Sequence, residues 1–280
     1  MKEIKDKTFT GERSLFFGRE LDIENCVFFG GESPLKESRD IKLNNCVFKW
    51  KYPLWYSKNV ALKNCTFDET ARSGVWYTKD IRFEDCQIIA PKTFRRARNV
   101  SLKNVDMVNA AETLWSCEDV DIKNVKAVGD YFGMNSKNIT ASNFTLDGNY
   151  CFDGGENIVV NDSYLNSKDS FWNCKGVFIE NTTIIGEYIG WNSQNVTLKN
   201  CTIESLQGFC YMKDLKLINC VLKNTTLAFE YSSVEADIDF CDSIKNPSEG
   251  VIITGDVGEL IMEPERTDVT KTKIIIKKSL

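Results

Sequence analysis

Apolar and polar residues alternate along this chain in short bursts, and the bursts recur. Each runs apolar-x-apolar-x, meets Asn or Asp, often continues with Cys, and closes on another apolar residue. The frame appears as LDIENCVF from Leu21, IKLNNCVF from Ile41, VALKNCTF from Val60 and IRFEDCQI from Ile81. It returns from Val100, Val120, Ile139, Ile158, Val177, Val196 and Leu215, and in a degenerate form, ADIDFCDS, from Ala236. Successive frames start 19 to 21 residues apart. The phrase GDYFGMNSKNI at 129–139 comes back as GEYIGWNSQNV at 186–196, three such periods later.

Alternation over four or five residues predicts strands, and no window carries the three-to-four spacing of a helix. Short strands at a fixed period, without recurring hairpin turns, stack in parallel. The chain is therefore expected to be an all-β solenoid, a single-stranded parallel β-helix of about twelve coils of 19–21 residues. Each coil is too small to bury its own apolar face and leans on its neighbours. Leucine-rich and pentapeptide repeats share the period but not the pattern. The expected organisation is an N-terminal cap over 1–14, the β-helix over 15–246 and a capping segment over 247–280, with KIIIKK as a terminal strand between charges.

The Asn/Asp place forms a file: Asn25, Asn45, Asn64, Asp85, Asn104, Asn124, Asn143, Asp162, Asn181, Asn200 and Asn219. Asn and Asp tolerate the left-handed backbone of a tight corner, and stacked amides can bond from coil to coil. Asn-x-Ser/Thr sequons in this file are by-products of it. Seven cysteines follow at one phase: Cys26, Cys46, Cys65, Cys86, Cys201, Cys220 and Cys241. Val105, Val125, Phe144, Ser163 and Thr182 stand there in other coils, so the place wants a small or apolar core residue. Cys117, Cys151, Cys174 and Cys210 are scattered. With no His and no Cys-x-x-Cys, neither a metal nor a cofactor is expected.

Net charge is −5 with both signs interspersed, which gives no basic stripe for nucleic acid. No apolar run is long enough to span a membrane. MKEIKDKTF lacks the apolar stretch of a secretory signal, and an odd number of thiols fits a reducing compartment, so a cytoplasmic location is expected.

Five of the six tryptophans stand five places before a frame: Trp55, Trp76, Trp115, Trp172 and Trp191. Phe16, Lys36, Arg95, Met134, Asp153, Cys210 and Tyr231 hold that place in other coils. One place on come Tyr56, Tyr77, Arg96, Asn135, Asn173, Asn192 and Tyr211. Lys36, Arg95 and Asp153 would be costly in an apolar interior, so the file is expected to face outward as an aromatic strip. The candidate ligand-binding residues are Trp55, Tyr56, Trp76, Tyr77, Arg95, Trp115, Asn135, Asp153, Trp172, Asn173, Trp191, Asn192 and Tyr211. Such a strip suits carbohydrate, whose rings meet aromatic side chains and whose hydroxyls need amides; a protein partner is the alternative.

Catalysis has weaker support. Without His, acid–base work falls to other groups, and the candidates beside the strip are Arg95, Arg96, Asp153 and Asp169. A polysaccharide hydrolase or lyase therefore stands as a further alternative.

The phrases GESPLKES, YPLWYSKNV, SGVWYT, APKTFRRARNV, ETLWSC, GNYCFDGG, SKDSFWNC, GEYIGWNS and LAFEYS resemble an uncharacterised family of bacterial parallel β-helix proteins, a domain of unknown function. The resemblance covers nearly the whole chain and implies a bacterial source and a right-handed, pectin-lyase-like architecture. It brings no established activity and no catalytic residue. Polygalacturonases need a Gly-His-Gly motif, and pectate lyases a cluster of calcium-binding Asp; neither is present.

Overall fold

The computed structural model describes residues 1–277, so the end of the expected capping segment, 278–280, lies outside the described residues. The chain divides into two compact units, Met1–Thr145 and a second from Leu146 onward. Both are parallel β-solenoid. Among the described residues there is no α-helix, and a single 3-10 turn, Val269–Lys271, precedes the last strand.

Register explains the period. In the first unit Lys2–Lys5, Arg19–Glu24, Arg39–Asn44, Lys58–Lys63, Lys79–Ile88, Arg98–Met107 and Glu118–Val128 lie side by side in parallel. Leu21 pairs with Ile41, Ile41 with Val60, Val60 with Ile81, Ile81 with Val100, and Val100 with Val120. In the second unit Ile158, Val177, Val196, Leu215 and Val234 are likewise in file. Parallel neighbours cannot be joined by a two-residue turn, so the rest of each period carries the chain round the coil.

Alternate residues of each frame point inward, as the period of two requires. Ile23, Leu102, Ile122, Ile158 and Val160 are wholly buried. Like residues pile on like: the rings of Phe9, Phe28, Phe48 and Phe67 follow one another at 5.0, 4.8 and 4.8 Å.

The corner behaves as its residue type demands. All eleven Asn and Asp of the file, Asn25 to Asn219, are left-handed, with φ between 47° and 54°. The amide ladder itself is partial. In the first unit Asn25 donates to Asp6, Asn45 to Asn25, Asn104 to Asp85, Asn124 to Asn104 and Asn143 to Asn124, at 2.7–3.1 Å. In the second, Asn181 donates to Asp162 and Asn219 to Asn200. A carboxylate accepts but cannot donate, so Asp85 and Asp162 each begin a run and give nothing to the coil before.

The cysteine phase has a reason beyond size. The thiols of Cys26, Cys46, Cys65, Cys86, Cys201 and Cys220 are buried and each donates to the carbonyl two residues back, at 3.2–3.5 Å. Ser163 and Thr182 make the same bond at 2.6 and 2.9 Å.

Two expectations are corrected. The solenoid has about 14 turns rather than twelve. Lys2–Lys5, Glu249–Thr254 and Thr272–Ile276 pair into the ladder although none is followed by the Cys of the frame and only the first, through Asp6, keeps its Asn/Asp corner. The degenerate frame also starts two residues earlier than Ala236, because Leu215 pairs with Val234. Cys241 thereby leaves the cysteine file; it lies on Phe240–Lys245, which pairs with Asp256–Ile261 and is bridged to Ala228 at Ile244.

Candidate functional site

The strip arises from a break in alternation. The residue six places before each frame points inward: Leu54, Val75, Phe94, Leu114, Phe171 and Phe209 are 0–1% exposed. The next place, that of Trp55, Trp76, Arg95, Trp115, Asp153, Trp172 and Trp191, is half-buried at the surface. The place after it is left-handed: φ is 56° at Tyr56, 61° at Tyr77, 50° at Arg96, 54° at Asn135 and Asn173, 58° at Asn192 and 57° at Tyr211. That residue turns outward too, and the following one is buried again. Two successive side chains therefore face solvent, which simple strand parity forbids.

The buried place after the strip forms a file of its own that was not expected. Ser38, Ser57, Thr78, Ser136, Ser193 and Ser232 stand there, each buried. Each hydroxyl donates to the carbonyl of the inward residue one coil back, as Ser57 to Leu35 at 2.8 Å and Ser193 to Phe171 at 2.6 Å. Ser136 and Ser193 also accept from the backbone N–H of Cys117 and Cys174, both at 2.8 Å. The hydroxyls satisfy backbone groups that the left-handed turn withdraws from the ladder. Cys117 and Cys174, scattered in the sequence, belong to this file.

In the first unit the strip stacks on itself. Trp55 and Trp76 lie 5.3 Å apart and 7° from parallel. The Arg95 guanidinium sits 4.6 Å from the Trp76 ring centre and 4.8 Å from that of Trp115. Glu112 holds Arg95 at 3.3 Å and Lys92 at 2.9 Å. Tyr56 and Tyr77 stack at 4.8 Å and 6°, flanked by Lys36 at 5.8 Å and Arg96 at 6.0 Å. The indole N–H groups of Trp55 and Trp76 donate to the carbonyls of Ser73 and Lys92. Ring faces here meet other side chains, and the edges meet solvent. Asn135 is exposed.

In the second unit amides replace the stacked cations. Asn173 donates to Asp153 and Asn192 donates to Asn173, both at 2.9 Å. Beside them Trp172 and Trp191 lie 6.0 Å apart at 33°, and Tyr211 follows Trp191 at 4.7 Å. Trp172 donates to the carbonyl of Tyr188 at 2.7 Å. Among the described residues the Trp191 indole N–H has no such acceptor. Tyr211 continues to Tyr231 at 5.4 Å. Tyr231 stands in the left-handed file with φ 54°, one place on from the tryptophan position expected of it.

Of the weak catalytic candidates, Arg95 and Arg96 lie in the first unit and Asp153 and Asp169 in the second. Asp169 is 3% exposed, and burial raises its carboxyl above the ordinary carboxylate range despite Lys168 and a hydrogen bond with Tyr150. Asp153 is engaged by Asn173. Among the described residues no three His, Cys, Asp or Glu side chains converge as metal ligands. A broad groove of about 650 Å³ lies in the first unit on the corner file, over Asn64, Asp85 and Asn104, and not on the strip.

The family model described as "Protein of unknown function (DUF3737)" matches residues 2–275. The chain belongs to this family. Among curated proteins none matches the sequence of this DUF3737 chain. Its coil path is similar to that of PfbA, a surface adhesin of Streptococcus pneumoniae, with 10% identity, a TM-score of 0.44, and coverage of 85% of this chain and 81% of that one. It is similar also to a tailspike protein mutant of Escherichia coli bacteriophage HK620 in complex with a hexasaccharide, with 11% identity, a TM-score of 0.40, and coverage of 86% and 59%. The pentapeptide-repeat protein HetL of Nostoc matches at 10% identity and a TM-score of 0.26, with coverage of 78% and 92%. These likenesses concern backbone path and say nothing of ligands.

A second left-handed file in the DUF3737 chain also escaped the pattern. The residue just before each frame, from Glu20 and Asp40 to Asn195 and Asp214, has φ between 51° and 58°, with Gly176 at 69°. In the first unit Asn59 donates to Asp40, Asn99 to Asp80 and Asn138 to Asp119, at 2.6–2.9 Å. The signal was present as Asx at a fixed phase, masked by Glu20 and Gly176 at the same place.

Proposed function

We propose that the second unit's strip is a non-catalytic recognition surface for carbohydrate, formed by Trp172, Asn173, Trp191, Asn192 and Tyr211 with Asp153 at one end. The observation that carries it is the run of amides, Asn173 and Asn192, exposed beside half-buried indoles at coil spacing. Each amide uses one N–H along the ladder and keeps a second, and the Trp191 N–H adds another donor. Repeated donors and acceptors at a fixed pitch match a polymer whose hydroxyls repeat. Because ring faces meet neighbouring rings, a glycan would lie along ring edges, held mainly by hydrogen bonds. The first unit's strip, with Arg95 clamped between indoles and bound to Glu112, supports a structural role there. Nothing beside the strip supports chemistry: Arg95 and Arg96 sit far along the chain from Asp153 and Asp169, and Asp153 is tied to Asn173.

Glycan-array binding tests this reading. Wild-type protein should retain a subset of neutral or amidated glycans, and a Trp191→Ala plus Asn192→Ala variant should lose them while keeping its unfolding midpoint within a few degrees. Binding that is the same in both proteins would remove the strip from consideration.

A further inference from the structure

In the second unit the file just before the frames runs Asn157, Gly176, Asn195, Asp214. The Asn rungs of the first unit's equivalent file each donate to the carboxylate one coil back. At Gly176 the rung has no side chain, although its φ of 69° is the same left-handed conformation. A Cβ there would lie 3.2 Å from Asn157 Oδ1, so that oxygen is directed at the missing place. On the other side Asn195 is exposed and, among the described residues, makes no side-chain hydrogen bond; Gly176 offers it no acceptor and Asp214 no donor.

The gap is also a hollow. A depression of about 350 Å³ on the strip side is lined by Asn157, Lys175, Gly176, Gln194 and Asn195. Another of about 380 Å³ on the strand side shares Asn157, Gly176 and Asn195 and adds the half-buried Val159 and Phe178. Asn173 of the strip precedes Gly176 by three residues, which is about 10 Å of extended chain at most. The hollow and the strip therefore share the same coils.

We propose that the notch over Gly176 receives the acetamido group of an N-acetylated sugar, which takes the place of the missing rung. The acetamido carbonyl accepts from Asn195 Nδ2, its N–H donates to Asn157 Oδ1, and its methyl packs against Phe178 and Val159. A secondary amide accepts and donates at opposite ends of one line, as an Asn rung does, whereas a hydroxyl donates and accepts at a single atom, which does not reach both Asn157 and Asn195, and brings no methyl to the apolar part. This deepens the carbohydrate reading of the strip and rests on it.

The test compares a tetramer of N-acetylglucosamine with cellotetraose, the same backbone bearing hydroxyls, by titration calorimetry. Wild-type protein should prefer the acetylated tetramer by about tenfold or more, the effect of two hydrogen bonds and a buried methyl. Gly176→Asn supplies the rung in a conformation Asn adopts readily, needing only a small swing of the exposed Asn157 side chain. It should keep or raise the unfolding midpoint and bring the two sugars to equal affinity; Asn195→Asp, which removes the donor, should do the same. Equal binding of the two sugars by wild type, or a preference that survives Gly176→Asn, overturns the acetamido site and leaves the strip standing. Binding lost in Gly176→Asn but kept in the Trp191→Ala plus Asn192→Ala variant overturns the strip and leaves the notch. Binding of neither tetramer by wild type overturns the notch.

Discussion

The indoles of Trp55 and Trp76 lie face to face, 5.3 Å between ring centres and 7° from parallel. Arg95 covers the other face of Trp76 at 4.6 Å. An aromatic file in a solenoid thus serves itself first, since the coil spacing is close to the thickness of stacked rings. Trp76→Ala should destabilise the first unit by about 2–4 kcal/mol, below the full core value because the ring is half exposed. A double-mutant cycle with Arg95→Ala should show a coupling of about 0.5–1 kcal/mol. Guanidinium unfolding of the four proteins measures both, and additive effects would mean that the guanidinium contributes nothing through the ring.

At the corner, conformation and hydrogen bonding can be separated. Asn104 has φ 53°, donates to Asp85 at 2.8 Å and accepts from Asn124 at 3.0 Å. Asn104→Gly removes two exposed bonds and relieves the backbone; Asn104→Ala removes the same bonds and leaves a Cβ in the left-handed region. The alanine variant should be the less stable by about 1–2 kcal/mol. Equal stabilities would show that the ladder's bonds, and not its backbone, select Asn.

The repeat was legible because every coil obeys the same constraint, and stacking turns a weak local alternation into a file of a dozen similar residues. The count fell short at the ends, where Ile4, Ile252 and Ile274 continue the file with no Cys after them, and Ile252 and Ile274 with no Asn or Asp either. Without the thiol and, in the last two coils, the corner Asn or Asp, a short alternation alone is too weak a signal to start a frame. The Ala236 frame failed for a related reason: between Leu217 and Cys220 the register shifts, and pattern alone cannot place a bulge. The strip's outward aspect followed from its charges, Lys36, Arg95 and Asp153. Its two-residue width did not, because a left-handed Tyr56 or Tyr211 defies the preference of its own residue type. Ser57 and Ser193 carry no apolar signal that would mark them as interior, yet their hydroxyls are buried and bonded.

Serial left-handed residues also weaken a familiar inference. Bulky residues with positive φ ordinarily draw attention as strained functional positions. Here Phe17, Tyr56, Tyr77, Phe152, Phe171, Tyr188, Phe209 and Tyr231 all share it with the corner Asn file. The conformation is what each turn of the coil requires, and stacking such as Tyr56 on Tyr77 offsets part of the cost, about 0.5–1.5 kcal/mol for an aromatic pair. Strain therefore marks no single site in this molecule, and a missing side chain, as at Gly176, is the more informative irregularity.

The thiols give a prediction in pH. All eleven cysteines are free and buried. Burial pushes Cys117, Cys174, Cys210 and Cys241 up to about 12 from the ordinary 9.0. In the unfolded chain these thiols return to the ordinary value. Below pH 9 both states hold their protons and the thiols leave stability unchanged. Between about 9 and 12 the unfolded chain releases thiol protons that the folded chain retains, so stability falls as pH rises through that window. Urea midpoints should accordingly decline from pH 9 to pH 11, and a Cys117→Ala plus Cys174→Ser variant should decline less steeply. At pH 8 the native thiols should react with a disulfide reagent about 100-fold or more slowly than those of the urea-unfolded chain, because a buried sulfur is not accessible to the reagent. A midpoint that is level across the window, or prompt labelling of the folded protein, would contradict the buried thiol files.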